Sequence, residues 1–126
     1  MEPAAVALAA RSSLSSDQRR YLQDCYEAVH AADRDHFRPF DARFHIALAE
    51  VTGSPSLAST VADARAAASE LLDAIPYLDK NIHHSDEQHA AILQAVLTGD
   101  ADTARSVMEE HLEGTAALLR GFLAAQ

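Results

Sequence analysis

Residues 85–100 read Ser85-Asp86-Glu87-Gln88-His89-Ala90-Ala91-Ile92-Leu93-Gln94-Ala95-Val96-Leu97-Thr98-Gly99-Asp100. His89, Ile92, Leu93 and Val96 recur at i, i+3, i+4 and i+7, which is one face of an α-helix. Ser85 followed three residues later by Gln88 has the form of a capping box, with Asp86 and Glu87 in the first turn, where acids are favoured. Gly99 is a stop signal, and Asp100 is an N-cap for whatever follows. Helix, two-residue turn, helix: this spacing leaves no room for a crossover strand and predicts antiparallel neighbours.

Outward from that stretch the same signals repeat. Ala104, Val107, Met108, Leu112, Leu118, Leu119 and Phe122 continue a helix after Asp100, with Gly114 inside it; close helix approach is one reason for a glycine there. Upstream, Ser54-Pro55 pairs an N-cap with proline at the first helical position, and Leu57, Val61, Ala64, Ala68, Leu71 and Ile75 form a stripe ending at Pro76. Residues 77–84 are expected to be a loop. Phe37 to Thr52 is a helix closed by Gly53. Ser15 with Gln18 opens a helix carrying Leu22, Cys25 and Val29, and a short helix spans Pro3 to Arg11. No β-type alternation appears. The expected fold is all-α, an antiparallel bundle of about six helices in one domain over residues 1–126.

Composition narrows the function. The 126 residues are 48% hydrophobic, which suits a folded core. Asp and Glu number 19 against 10 Lys and Arg, a net charge of −9. Such a surface repels phosphate, so this chain alone is not expected to bind DNA. The lone Cys25 offers no disulfide framework and suits a reducing cytoplasm. There is no membrane-length apolar run and no signal-peptide pattern at the start.

Several polar groups fall on apolar faces. In Phe40-Asp41-Ala42-Arg43-Phe44-His45-Ile46-Ala47-Leu48, Phe44 and Leu48 define the inward stripe, and Asp41 and His45, four apart, stack beside it. His89 shares the Ile92 face. His111 follows Val107 by four and Met108 by three. Burying an imidazole or carboxylate costs several kcal/mol unless it is paired or bound to a cation. Taken singly, each is an ordinary core histidine or a surface pair. As a set, Asp41, His45, His89 and His111 suit one divalent first-row ion: Zn, Ni, Co, Fe or Mn. The remaining histidines, His30, His36, His83 and His84, read as structural or loop residues.

These segments, together with Glu2-Pro3-Ala4-Ala5, Leu8-Ala9-Ala10-Arg11, Thr52-Gly53-Ser54-Pro55 and Ala104 through His111-Leu112, resemble the FadR C-terminal domain (FCD) of GntR-family transcription regulators. The resemblance covers nearly the whole chain. It implies a six- or seven-helix bundle and a metal held by Asp41, His45, His89 and His111. It also implies a cavity above the metal for a small organic acid, and a homodimer. DNA would be bound only through an N-terminal winged-helix domain, which this sequence does not contain. The reading that follows is a metal-dependent carboxylate sensor, not an enzyme. The alternatives are a mononuclear His/Asp metalloenzyme and a purely structural dimerisation domain. Periodicity does not identify the effector-binding residues, although Arg11 and Arg43 are candidates for contacting an acid.

Overall fold

The computed structural model describes residues 1–75 and 78–124. Within them the chain forms six helices: α1 (Glu2–Arg11), α2 (Ser16–His30), α3 (Phe37–Glu50), α4 (Pro55–Leu72), α5 (Asp79–Leu97) and α6 (Ala101–Ala124). Among the described residues there is no strand.

The local signals explain most of the boundaries. Ser15 accepts from the Gln18 backbone, and the Gln18 side chain accepts from the Ser15 backbone, closing the capping box. Ser54 accepts from the Leu57 backbone with Pro55 opening α4, and Asp100 accepts from the Thr103 backbone. Gly53 and Gly99 adopt φ of 80° and 77°. A side chain at either is strained whatever the space around it.

Three expectations are corrected. The stretch 79–84, expected as loop, belongs to α5, which starts at Asp79 and not at Ser85. Ile82 packs against the core and His83 pairs with Glu87 at 2.9 Å, so these extra residues are held in the helix. On α4 the inward face is Val61, Arg65 and Leu72, while Leu71 is 54% exposed. A Cβ at Gly114 would meet nothing within 4 Å, so close helix packing is not its reason. The expected break at Pro76 lies outside the described residues.

The core runs along the bundle from Val6 and Ala9 through Leu22, Phe44, Leu48, Ile92 and Val96 to Met108. α1 packs on α3, α5 and α6, and α3 packs on α4. Cys25 is buried with a free thiol. No described helix is long and apolar enough to cross a membrane. This packing aims the polar faces of α1, α3, α4, α5 and α6 at one point inside the bundle.

Candidate metal centre

Asp41 and His45 come from α3, His89 from α5 and His111 from α6. All four are buried, and one ligand atom from each lies within 4.8 Å of the others. The tightest part is a triangle: His89 Nε2 is 3.0 Å and His45 Nε2 3.2 Å from Asp41 Oδ1, and the two nitrogens are 3.3 Å apart. The imidazoles of His89 and His111 have centroids 4.7 Å apart, and Phe44 presents its ring edge-to-face to His89 at 5.2 Å.

Neighbouring side chains fix which nitrogens face inward. Glu2 Oε1 lies 2.5 Å from His45 Nδ1. A carboxylate only accepts, so Nδ1 carries the proton and Nε2 keeps its lone pair for the cluster. Gln88 does the same for His111, its Oε1 accepting from Nδ1 at 2.8 Å. Gln88, expected to cap a helix start at Ser85, instead holds a ring on α6. Arg65 closes the arrangement, with Nη2 3.0 Å from Asp41 Oδ2 and Nη1 3.4 Å from Glu2 Oε2. Asp41 therefore directs Oδ2 at a guanidinium and Oδ1 at the imidazoles, where Oδ1 has no well-aligned donor among the described residues. Converging lone pairs around an unsatisfied buried carboxylate oxygen fit a divalent cation better than they fit one another.

Glu2 and Arg65 escaped the sequence reading. Arg11 and Arg43, which did not, are elsewhere: Arg11 is exposed and Arg43 pairs with Glu50 at the surface. Of the other histidines, His30 bonds Asp86 at 2.9 Å and His36 bonds Asp33 at 2.7 Å, both at the surface and away from the cluster. His84 borders the cavity described below.

Without a cation the cluster divides its protons unevenly. Burial raises Asp41, but the charge and hydrogen bonds of His45 and those of His89 outweigh it and hold the carboxyl well below its usual range. Glu2 is also lowered, His45 and Arg65 outweighing its burial. Burial lowers His45, yet Asp41 and Glu2 reverse this and leave it raised. His89 stays lowered by burial. His111 is pushed down to about 2 by burial and by the neighbouring imidazoles and Arg65.

These directions fix a pH dependence for the metal-free protein. Below about pH 6.5 the unfolded chain protonates at His89 and His111 while the fold does not, so their contribution is lost on acidification. The raised His45 contributes fully in that range, and the lowered carboxylates begin to act only below about pH 4.5. Chelator-treated protein should therefore melt at progressively lower temperature from pH 6.5 to 5. The slope is up to roughly 1.4 kcal/mol per pH unit for each proton. A flat profile would mean that these imidazoles are not held neutral.

A cavity of about 130 Å³ adjoins the cluster, and Asp41, Arg65, Gln88 and His111 form part of its wall. It is smaller than drug-sized pockets of about 300–1,000 Å³, and suits a ligand of few heavy atoms.

The sequence pattern of the FCD domain matches residues 1–114. The chain belongs to the FCD family. That family consists of regulator domains and not enzymes, so the metalloenzyme alternative falls away. An FCD relative from Escherichia coli K12, named as an L-lactate dehydrogenase operon regulatory protein, is 32% identical over 98 residues. Its counterpart in Shigella flexneri matches equally. The alignment covers 72% of this FCD chain and 37% of each relative, so the chain spans well under half their length. Among solved structures, E. coli McbR/YncC superposes with a TM-score of 0.78 over 97% of this chain and 60% of its own, at 21% identity. That likeness supports the FCD fold alone.

Proposed function

We propose that this chain is the metal-dependent effector-sensing and dimerising domain of a GntR/FadR-type transcription regulator. Asp41, His45, His89 and His111 hold one divalent transition-metal ion, and a small organic acid is the effector. The observation that carries this reading is the buried convergence of four ligand atoms from three helices at the wall of a small cavity. The imidazole-rich donor set favours Zn, Ni, Co, Fe or Mn over Mg or Ca. When bound, the ion supplies a fixed positive charge at one end of the cavity, with Lewis acidity toward an acid's oxygen.

The residues of the chain do the rest. Glu2 and Gln88 hold His45 and His111 by their outer nitrogens. Arg65 keeps Asp41 oriented by holding its Oδ2. The surrounding apolar core strengthens attraction to an anion by excluding water. The E. coli relative named for an L-lactate dehydrogenase operon agrees in chemistry, since lactate is a short hydroxy acid. An acid seated against α3, α4, α5 and α6 together would shift their relative positions. In a dimer, that population shift is what attached DNA-binding domains would read.

Calorimetry with lactate, glycolate and acetate on zinc-loaded and chelator-treated protein tests this, with light scattering for the dimer. Binding at least about tenfold tighter with zinc is expected, and a dimer at tens of micromolar. Equal affinity without metal would refute capture through the ion, and a monomer would refute the dimerising role.

A further inference from the structure

The cavity changes character along its length. On α6 one face of the helix runs from His111 past Gly114 to Leu118, and both ends line the cavity. Seven helical residues cover about 10 Å. On α5 the lining runs the opposite way along the chain, from Gln88 to Leu78, and on α4 it runs from Arg65 to Leu72. The helices alternate in direction, so each stripe starts at the ligand cluster and ends in an aliphatic side chain. Asn81, Ser85 and Thr115 add neutral polar atoms to the wall.

Charge is just as one-sided. Around the cluster a divalent ion and Arg65 bring three positive charges, against two negative ones on Asp41 and Glu2. One positive charge is left over. At the aliphatic end the nearest guanidinium is that of Arg38, and it is engaged: Nη2 donates to the Leu72 carbonyl at 2.8 Å, and Nε lies 3.6 Å from Asp73 Oδ1. His84 borders the cavity but is exposed to water.

Gly114 fits the same picture. It has no left-handed backbone to excuse it, and glycine weakens a helix interior. A Cβ there would touch nothing within 4 Å, yet the residue lines the cavity. What glycine provides is room beside His111.

We infer that the effector is an aliphatic monocarboxylate. Its single carboxylate neutralises the excess charge at the cluster, and its short uncharged tail lies between Leu72, Leu78 and Leu118, passing Gly114. This rests on the metal-bound reading above. A second carboxylate on the tail would give up part of its hydration beside these side chains, and among the described residues the guanidinium at that end, Arg38, is already engaged.

The test is titration calorimetry of the zinc-loaded protein with acids matched in carbon number: butanoate against succinate, and hexanoate against adipate, with acetate as the shortest probe. Each monoacid should bind at least about tenfold tighter than its diacid, and each methylene buried should add about fourfold. Gly114→Leu should weaken hexanoate more than tenfold and acetate less than threefold. Succinate or adipate binding as tightly as its partner would overturn the inference. If Arg38→Gln then removed that diacid binding, the second carboxylate would be located on Arg38. Acids that bind alike with and without zinc would instead overturn the metal reading, and failure of every acid to bind would overturn both. The wild-type series decides the matter even if a variant does not fold.

Discussion

His89→Ala and His111→Ala proteins should purify with little or no metal, while the wild type holds one ion per chain. Each of these imidazoles is fully or nearly fully buried, so no surface group can swing in to replace it. Structural zinc sites with four protein ligands bind with about 10–16 kcal/mol in total, so losing one ligand should weaken binding by at least about a hundredfold. The two variants differ in what they leave behind. His89 Nδ1 has no hydrogen-bond partner among the described residues, so its removal frees only the cluster. Removing His111 also releases Gln88. His89→Ala should therefore lose metal with less disturbance of α5 against α6. Metal analysis by mass spectrometry, with competition against a chromophoric chelator, measures both. His83→Ala is the control: that histidine is exposed and pairs only with Glu87, so it should keep its metal. Full metal content in both cluster variants would refute the site.

The four ligand candidates were legible because each lies on the apolar stripe of its own helix, and stripes can be counted. Asp41 and His45 flank Phe44, His89 precedes Ile92 by three, and His111 follows Met108 by three. Bringing the stripes together required only that the bundle bury them. The helix ends at Ser15, Gly53, Ser54, Gly99 and Asp100 were legible because each carries its own capping chemistry. The start of α5 was not. Its N-cap, Leu78, makes no side-chain cap bond, and Ser85 with Gln88 offers a more persuasive start six residues too late. Gln88 is drawn away by a histidine 23 positions along the chain, a partner no local rule supplies.

Glu2 and Arg65 were missed for related reasons. An acid in the first turn of a helix is ordinary, and nothing local distinguishes Glu2 from a solvated one. On α4 the Ala-rich sequence leaves the inward face poorly marked. Val61 and Leu72 are inward, and Arg65 follows the first by four and precedes the second by seven, so arithmetic alone puts it inside. An arginine there is implausible until its partners are known. They lie 24 and 63 residues away, and only the packing of α1 and α4 against α3 brings them near.

Arg65→Met should be the most destabilising single change in the cluster that leaves all four candidate ligands in place. Arg65 is 4% exposed and touches both buried carboxylates. Methionine keeps most of its apolar stem but leaves Asp41 and Glu2 with one cation fewer. Removing one partner of a buried ion pair costs about 3–5 kcal/mol. For a domain between the small and mid-sized classes, where each kcal/mol moves the midpoint by about 2–8 °C, this is a fall on the order of 10 °C. Arg65→Lys should recover only part of it, because an ammonium keeps the charge but lacks the fork that spans two carboxylates. Glu2→Gln in the Arg65→Met background should restore stability by removing one uncompensated charge, even though the same change alone is harmful. That opposite sign is the signature of coupling and not of lost volume. Acid should narrow the gap between Arg65→Met and wild type, since both carboxyls protonate more readily once the guanidinium is gone. Thermal melts of the wild type, Arg65→Met, Arg65→Lys, Glu2→Gln and the Glu2→Gln/Arg65→Met double variant at pH 7 and pH 5, with and without zinc, measure every term. Arg65→Met melting within about 2 °C of wild type at pH 7 would show that the guanidinium does not compensate the two buried carboxylates.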